Sequence, residues 1–234
     1  MDRNIYSLGF INKSSPDWIC PTCEKGILRF NSNTFNFRET SQSYLRREAI
    51  SDYDQEFIYC CILKCTNDQC NEAVSNIGTG VLVYDELEGW VHVFTPKYFE
   101  PNLKLIKIPR NCPTNISKAL NESFKIFFSN INATANILRI TIEELLTSLK
   151  VPHTNPPNLH KRISNLNGYN DIKDMLFAVK LIGNDGSHDL NTLKIDDIYD
   201  AYELIEYVLE EIYEEKQANI KAITKRINSK NRKG

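Results

Sequence analysis

The texture of the chain changes once, at Pro113. Before it, Leu28 to Phe37 and Glu56 to Lys64 read as strands, separated by polar turns. Val81-Leu-Val-Tyr84, then Asp85-Glu-Leu-Glu-Gly89, then Trp90-Val-His-Val-Phe94 has the form of a β-hairpin with a glycine-ended loop. His92 shares a side with Trp90 and Phe94 if that strand is regular, which suits packing better than metal ligation. Thr95 to Pro113 holds Pro96, Pro101, Pro109 and Pro113 and reads as an extended connector, so the boundary between a first domain (1–108) and a second (109–234) falls there.

Beyond Pro113 apolar residues recur every three or four positions. Ile116, Leu120, Phe124 and Phe127 form one helical stripe, with Thr114 or Asn115 as its cap, and Leu138, Ile142, Leu145 and Leu149 form the next. On that second helix Arg139 and Glu143 are spaced for an ion pair. A short helix around Leu159 to Leu166 follows, then a buried helix from Asp171 through Met175, Leu176, Val179 and Ile182, whose pattern should break near Gly183 and Gly186. Lys180, Asn184 and His188 gather where it ends. They are either the capping residues of a loop or, if helix resumes, a face with a cation beside it. The last helix begins near Ile195, with Thr192 as a cap, and its stripe Ile198, Tyr202, Ile205, Leu209, Ile212 is a heptad seam, fit for a dimer or for the chain's own core. Asp196 to Glu215 carries no Lys or Arg, whereas 216–234 has seven basic residues and no acidic one. That suits either a helix dipole with a frayed tail or a basic arm near phosphates.

At 234 residues, 41% hydrophobic and 25% charged, the chain has the make-up of a globular protein with one large core or two modest ones. A net charge of -2 excludes a protein that is basic all over, so contact with nucleic acid must rest on a local patch. No apolar run reaches membrane length, and the start shows no secretion signal, so we expect no membrane contact and a cytoplasmic location.

Six of the seven cysteines fall between Cys20 and Cys70, and the seventh is Cys112. In a reducing compartment clustered thiols read as a metal site. Cys20-Pro-Thr-Cys23 is a turn that aims two sulfurs at one point, and Cys65-Thr-Asn-Asp-Gln-Cys70 is a second tight loop. Joined by short strands, the pairs resemble a zinc ribbon, with Cys20, Cys23, Cys65 and Cys70 holding one structural zinc. Cys60 and Cys61 compete as ligands, but in a strand they point to opposite faces, which makes at least one a small core residue. The fold class expected is α+β, a zinc-ribbon-like β domain followed by an all-α helical bundle.

Three segments carry a resemblance: Ala135-Asn-Ile-Leu-Arg139-Ile-Thr-Ile-Glu143-Glu-Leu-Leu146, Leu159-His-Lys-Arg-Ile163 and Lys180-Leu-Ile-Gly183-Asn184-Asp-Gly-Ser-His188. In order and spacing the second half resembles the HEPN superfamily, and within it the bacterial domain-of-unknown-function family four-one-four-five. The resemblance implies a HEPN-like bundle, a homodimer, and an RNA-directed role in prokaryotic phage defence or stress response. It also implies metal-independent ribonuclease chemistry, in which His188 is the general acid–base, Lys180 stabilises the phosphate and Asn184 orients the 2′-hydroxyl or the histidine. The family's arginine position falls on Gly183, and lysine lacks the planar fork that clamps phosphate, so turnover should be weak and Gly183→Arg should restore it. The rival reading is a non-catalytic module that holds a protein or nucleic-acid partner.

Overall fold

The computed structural model describes the chain except residues 1, 2, 7, 8, 12, 13, 31, 47–54, 189–192, 215–222 and 229–234, and the side chains of 32 and 185–188. Its first part is an antiparallel sheet of β1 (Phe10–Ile11), β2 (Leu28–Phe30), β3 (Asn36–Glu39), β4 (Glu56–Cys65), β5 (Ala73–Asp85) and β6 (Gly89–Glu100), with a short helix α1 (Ser41–Arg46) after β3. The strand order is β1-β6-β5-β4-β2, and β3 pairs with β4 as well. The break between β2 and β3 is closed by Thr34, whose hydroxyl accepts the Ile62 N–H at 2.9 Å.

β4 shows why a strand forms here. Phe57, Tyr59, Cys61, Leu63 and Cys65 are buried while Ile58, Cys60, Ile62 and Lys64 point outward, a period of two that only a pleated backbone satisfies. The inner face is aromatic, with Phe10, Phe35, Tyr59 and Phe94 in ring contact. His92 belongs to it, against Phe37 and Phe57, and is a packing residue.

The expected hairpin is present but longer, because β6 continues through Thr95 to Glu100 where an extended connector was expected. Proline is admitted to this strand by a register shift. Pro96 lies opposite Gly78 at a bulge, a place in a sheet where a residue without an N–H is tolerated, and a Cβ on Gly78 would come within 2.1 Å of the Thr95 carbonyl. The β part is therefore a six-stranded sheet of which a ribbon-like cysteine end is only one edge.

The second part comprises α2 (Thr114–Ile126), α3 (Ile131–Ser148), α4 (Leu159–Ser164), α5 (Asn170–His188) and α6 (Ile195–Tyr213). The expected stripes face inward: Ile116, Leu120, Phe124, Phe127, Leu138, Ile142 and Leu145 are all buried. The cap of α2 is Pro113, not Thr114 or Asn115. Asn115 reaches instead to α3, where its amide donates to the Glu144 carboxylate at 2.6 Å. The proposed cap Thr192 lies outside the described residues, as does most of the basic stretch 216–234.

Ile198, Tyr202, Ile205 and Leu209 of α6 are buried in the chain's own core, and the Tyr202 hydroxyl donates to Ser123 of α2 at 2.9 Å. Four of the five seam residues are thus spent inside the molecule, and the fifth, Ile212, is half-buried against the same core. Arg162, from the second resembling segment, is also structural. Its guanidinium donates to the carbonyls of Glu143 and Val151 and to the Thr147 hydroxyl, tying α4 to the end of α3.

The two parts touch. Phe99 of the sheet packs on Phe128 of the bundle at 4.8 Å. The 3-10 turn Arg3–Tyr6 crosses to α6, where Arg3 pairs with Asp200 and Glu203 and the Tyr6 carbonyl accepts from Tyr199.

Candidate metal centre and the helical site

Each cysteine pair sits in a loop closed by backbone bonds. In the first, Ile19 bridges Ile27 and the Cys20 N–H donates to the Gly26 carbonyl at 2.8 Å. In the second, the Cys65 N–H donates to the Glu72 carbonyl at 2.9 Å. The residue after each pair, Glu24 and Asn71, has positive φ (53° and 52°), the left-handed step that turns the chain away from the sulfurs. The loops are joined by the Thr66 N–H to the Ile27 carbonyl at 2.9 Å and by the Thr22 hydroxyl to Glu72 at 2.6 Å.

The result is one cluster: the sulfurs of Cys20, Cys23, Cys65 and Cys70 lie within 4.8 Å of one another. The Cys20–Cys70 and Cys23–Cys65 separations are 3.8 and 3.7 Å. A disulfide needs about 2 Å. A tetrahedral ion with metal–sulfur bonds of about 2.3 Å requires sulfur–sulfur edges of about 3.8 Å, so the four thiols fit such an ion. The Gly26 and Asn67 amides donate to the Cys23 and Cys65 sulfurs, both at 3.4 Å. The amides of Gly26 and Lys25 bring the Cys23 thiol down to about 6, whereas burial pushes Cys65 up to about 12. A cation held there would override the latter, because it would stabilise thiolate directly. Four protein ligands would leave no open position on a tetrahedral ion.

Cys60 and Cys61 are not part of it. Cys61 is 3% exposed on the aromatic face, where burial raises its thiol to about 12, and Cys60 lies on the outer face. A residue the sequence reading passed over is Gly26: a Cβ there would stand 2.4 Å from the Cys65 sulfur. Its signal was the C-x-x-C-x-x-G spacing. Also unforeseen is a groove of about 470 Å³ on the outer sheet face, where Asn36, Cys60, Ile77 and Tyr98 form one row across β3, β4, β5 and β6.

In the helical part the expected break at Gly183 does not occur; α5 is continuous from Asn170 through both glycines to His188. Glycine inside a helix costs about 1 kcal/mol relative to alanine. Here contact with α3 offsets it. A Cβ on Gly183 would lie 2.7 Å from the Arg139 Cβ and 3.0 Å from the Ala135 carbonyl, so α3 and α5 approach too closely for any side chain. Lys180 and Asn184 are half-buried, one turn apart; of His188 only the backbone, at the end of α5, is described. Arg139 pairs with Glu143 at 3.3 Å as expected. His153 and His160 are exposed.

A family model described as a domain of unknown function, DUF8608, matches residues 8–99, and one described as a domain of unknown function, DUF4145, matches residues 121–230. The second is the family that the arginine–glutamate, glycine–asparagine and histidine segments suggested. No curated protein and no solved structure matches the chain. No helix among the described residues is long and apolar enough to cross a membrane.

Proposed function

We propose that this is a HEPN-like RNA-binding protein of the prokaryotic cytoplasm, acting in phage defence or a related stress response, with a β part stapled by one zinc ion on Cys20, Cys23, Cys65 and Cys70. The observation that carries the RNA reading is the continuity of α5, because an unbroken helix repeats Lys180, Asn184 and His188 every four residues along one side. In this reading Lys180 attracts a phosphate, His188 exchanges protons with the 2′-hydroxyl and Asn184 orients them, with metal-independent cleavage weak. Wild type, Lys180→Ala and His188→Ala are to be compared for RNA affinity and cleavage. Lys180→Ala should weaken binding and lower its salt dependence by about 0.7 in the logarithmic slope for one phosphate contact. His188→Ala should remove residual cleavage and leave binding largely intact. Both variants behaving like wild type would end this reading.

The packing of Gly183 favours the second reading, a non-catalytic module that holds a protein or nucleic-acid partner. The position where the family it resembles has arginine has no room for one here. The homodimer rests on that resemblance, since the α6 stripe is core. Light scattering of the full chain should return twice the chain mass of 27.0 kDa, and a monomer at all reachable concentrations would exclude a composite site.

A further inference from the structure

Arg139 is more than the partner of Glu143. Its stem lies across Gly183, with Cδ 3.5 Å from where a Cβ would be, so α5 holds it in place. Its Nε is buried and has no acceptor among the described residues, and the ionic contact shown there is a single 3.3 Å approach to Glu143 rather than a two-bond fork. In front of it is a cleft of about 90 Å³ lined by Arg139, Glu143, His153, Thr154, Asn158 and Arg162.

The other polar groups there are mostly engaged. The Thr154 hydroxyl accepts the Asn158 N–H at 2.7 Å, the Asn158 side chain accepts the Lys161 N–H at 2.9 Å, and Arg162 is taken up by α3 and Val151. What remains unmet among these groups is the Arg139 Nε–H, and the cleft is lined by two arginines against one carboxylate. We propose that this cleft binds a phosphate group through Arg139. Its volume of about 90 Å³ has room for one tetrahedral oxyanion. Arginine supplies the flat fork that phosphate oxygens accept. Neither Lys180 nor Asn184 lines this cleft, although Arg139 touches α5 between them at Gly183.

Calorimetry on the full chain tests it, with inorganic phosphate and oligouridylate as probes against wild type, Arg139→Gln and Glu143→Gln. Arg139→Gln should weaken phosphate binding at least about tenfold, the value of a charged hydrogen bond. Glu143→Gln should strengthen it several-fold, because the competing carboxylate is gone; a purely structural Arg139–Glu143 pair predicts no gain. Should Arg139→Gln fail to fold, the Glu143→Gln gain remains the test. If phosphate displaces oligouridylate, the cleft takes an RNA phosphate; if both bind without competing, it serves a small phosphate ligand, and either result supports the site. Absence of phosphate binding by wild type, or equal binding by wild type and a folded Arg139→Gln, overturns it.

Discussion

Cys65→Ser is expected to lose the zinc proposed for the four-cysteine cluster and to loosen the cysteine end of the sheet, and chelation of the wild type should do the same. Structural zinc contributes about 10–16 kcal/mol of apparent binding free energy in small zinc-folded peptides, comparable with the whole stability of about 5–15 kcal/mol of an ordinary domain. Not all of that is at stake here. The aromatic face of Phe10, Phe35, Tyr59 and Phe94 packs without the cluster, so the sheet's centre should persist while the loops 19–27 and 65–72 open. A loss of several kcal/mol is the expected outcome. Trp18, fully buried beside the first pair and edge-on to Phe99 at 4.9 Å, is the reporter, and its fluorescence should shift to that of a wetter indole. Elemental analysis should give one zinc per chain for wild type and near zero for Cys65→Ser. Gly26→Ala should resemble Cys65→Ser although it retains all four thiols, because its Cβ would stand 2.4 Å from the Cys65 sulfur. Metal-free wild type with unchanged melting, or iron in place of zinc, would count against the assignment.

That cluster was legible because cysteine is rare and its chemistry narrow, so two close pairs in a chain without a disulfide context point to each other across the sheet. The helices were legible for a different reason: their stripes are long, and each buried position repeats the same evidence. Local signals failed where a residue's reason lies far along the chain. Pro96 reads as a strand breaker until Gly78, on another strand, is seen to provide the bulge that admits it. Arg162 reads as part of a family signature, yet its partners Glu143, Thr147 and Val151 lie 11 to 19 residues away. The α6 seam had a correct period but could not say whose core it joins.

Gly183 is the sharpest case, and Gly183→Arg, which the family resemblance would use to restore activity, is expected to damage the fold instead. Glycine looked like a helix terminator because its cost in a helix is a property of α5 alone, whereas its cause, the backbone of α3 at Ala135 and the stem of Arg139, is absent from the local sequence. Gly183→Ala sets the scale. Overpacking costs about 1–3 kcal/mol, against which alanine's better helix propensity returns about 1 kcal/mol, so a net loss of up to about 2 kcal/mol is expected. Arginine retains the clash, must thread a longer side chain between α3 and α5, and brings a second guanidinium beside Arg139 with no carboxylate to spare, since Glu143 already faces Arg139. A loss above about 3 kcal/mol follows, which at about 2–4 °C per kcal/mol for a chain of this size lowers the melting temperature by roughly 10 °C. Thermal denaturation of the three proteins reads this directly. Gly183→Arg melting with wild type and gaining RNA cleavage would show that α3 and α5 separate easily, and would return the arginine position to the catalytic reading.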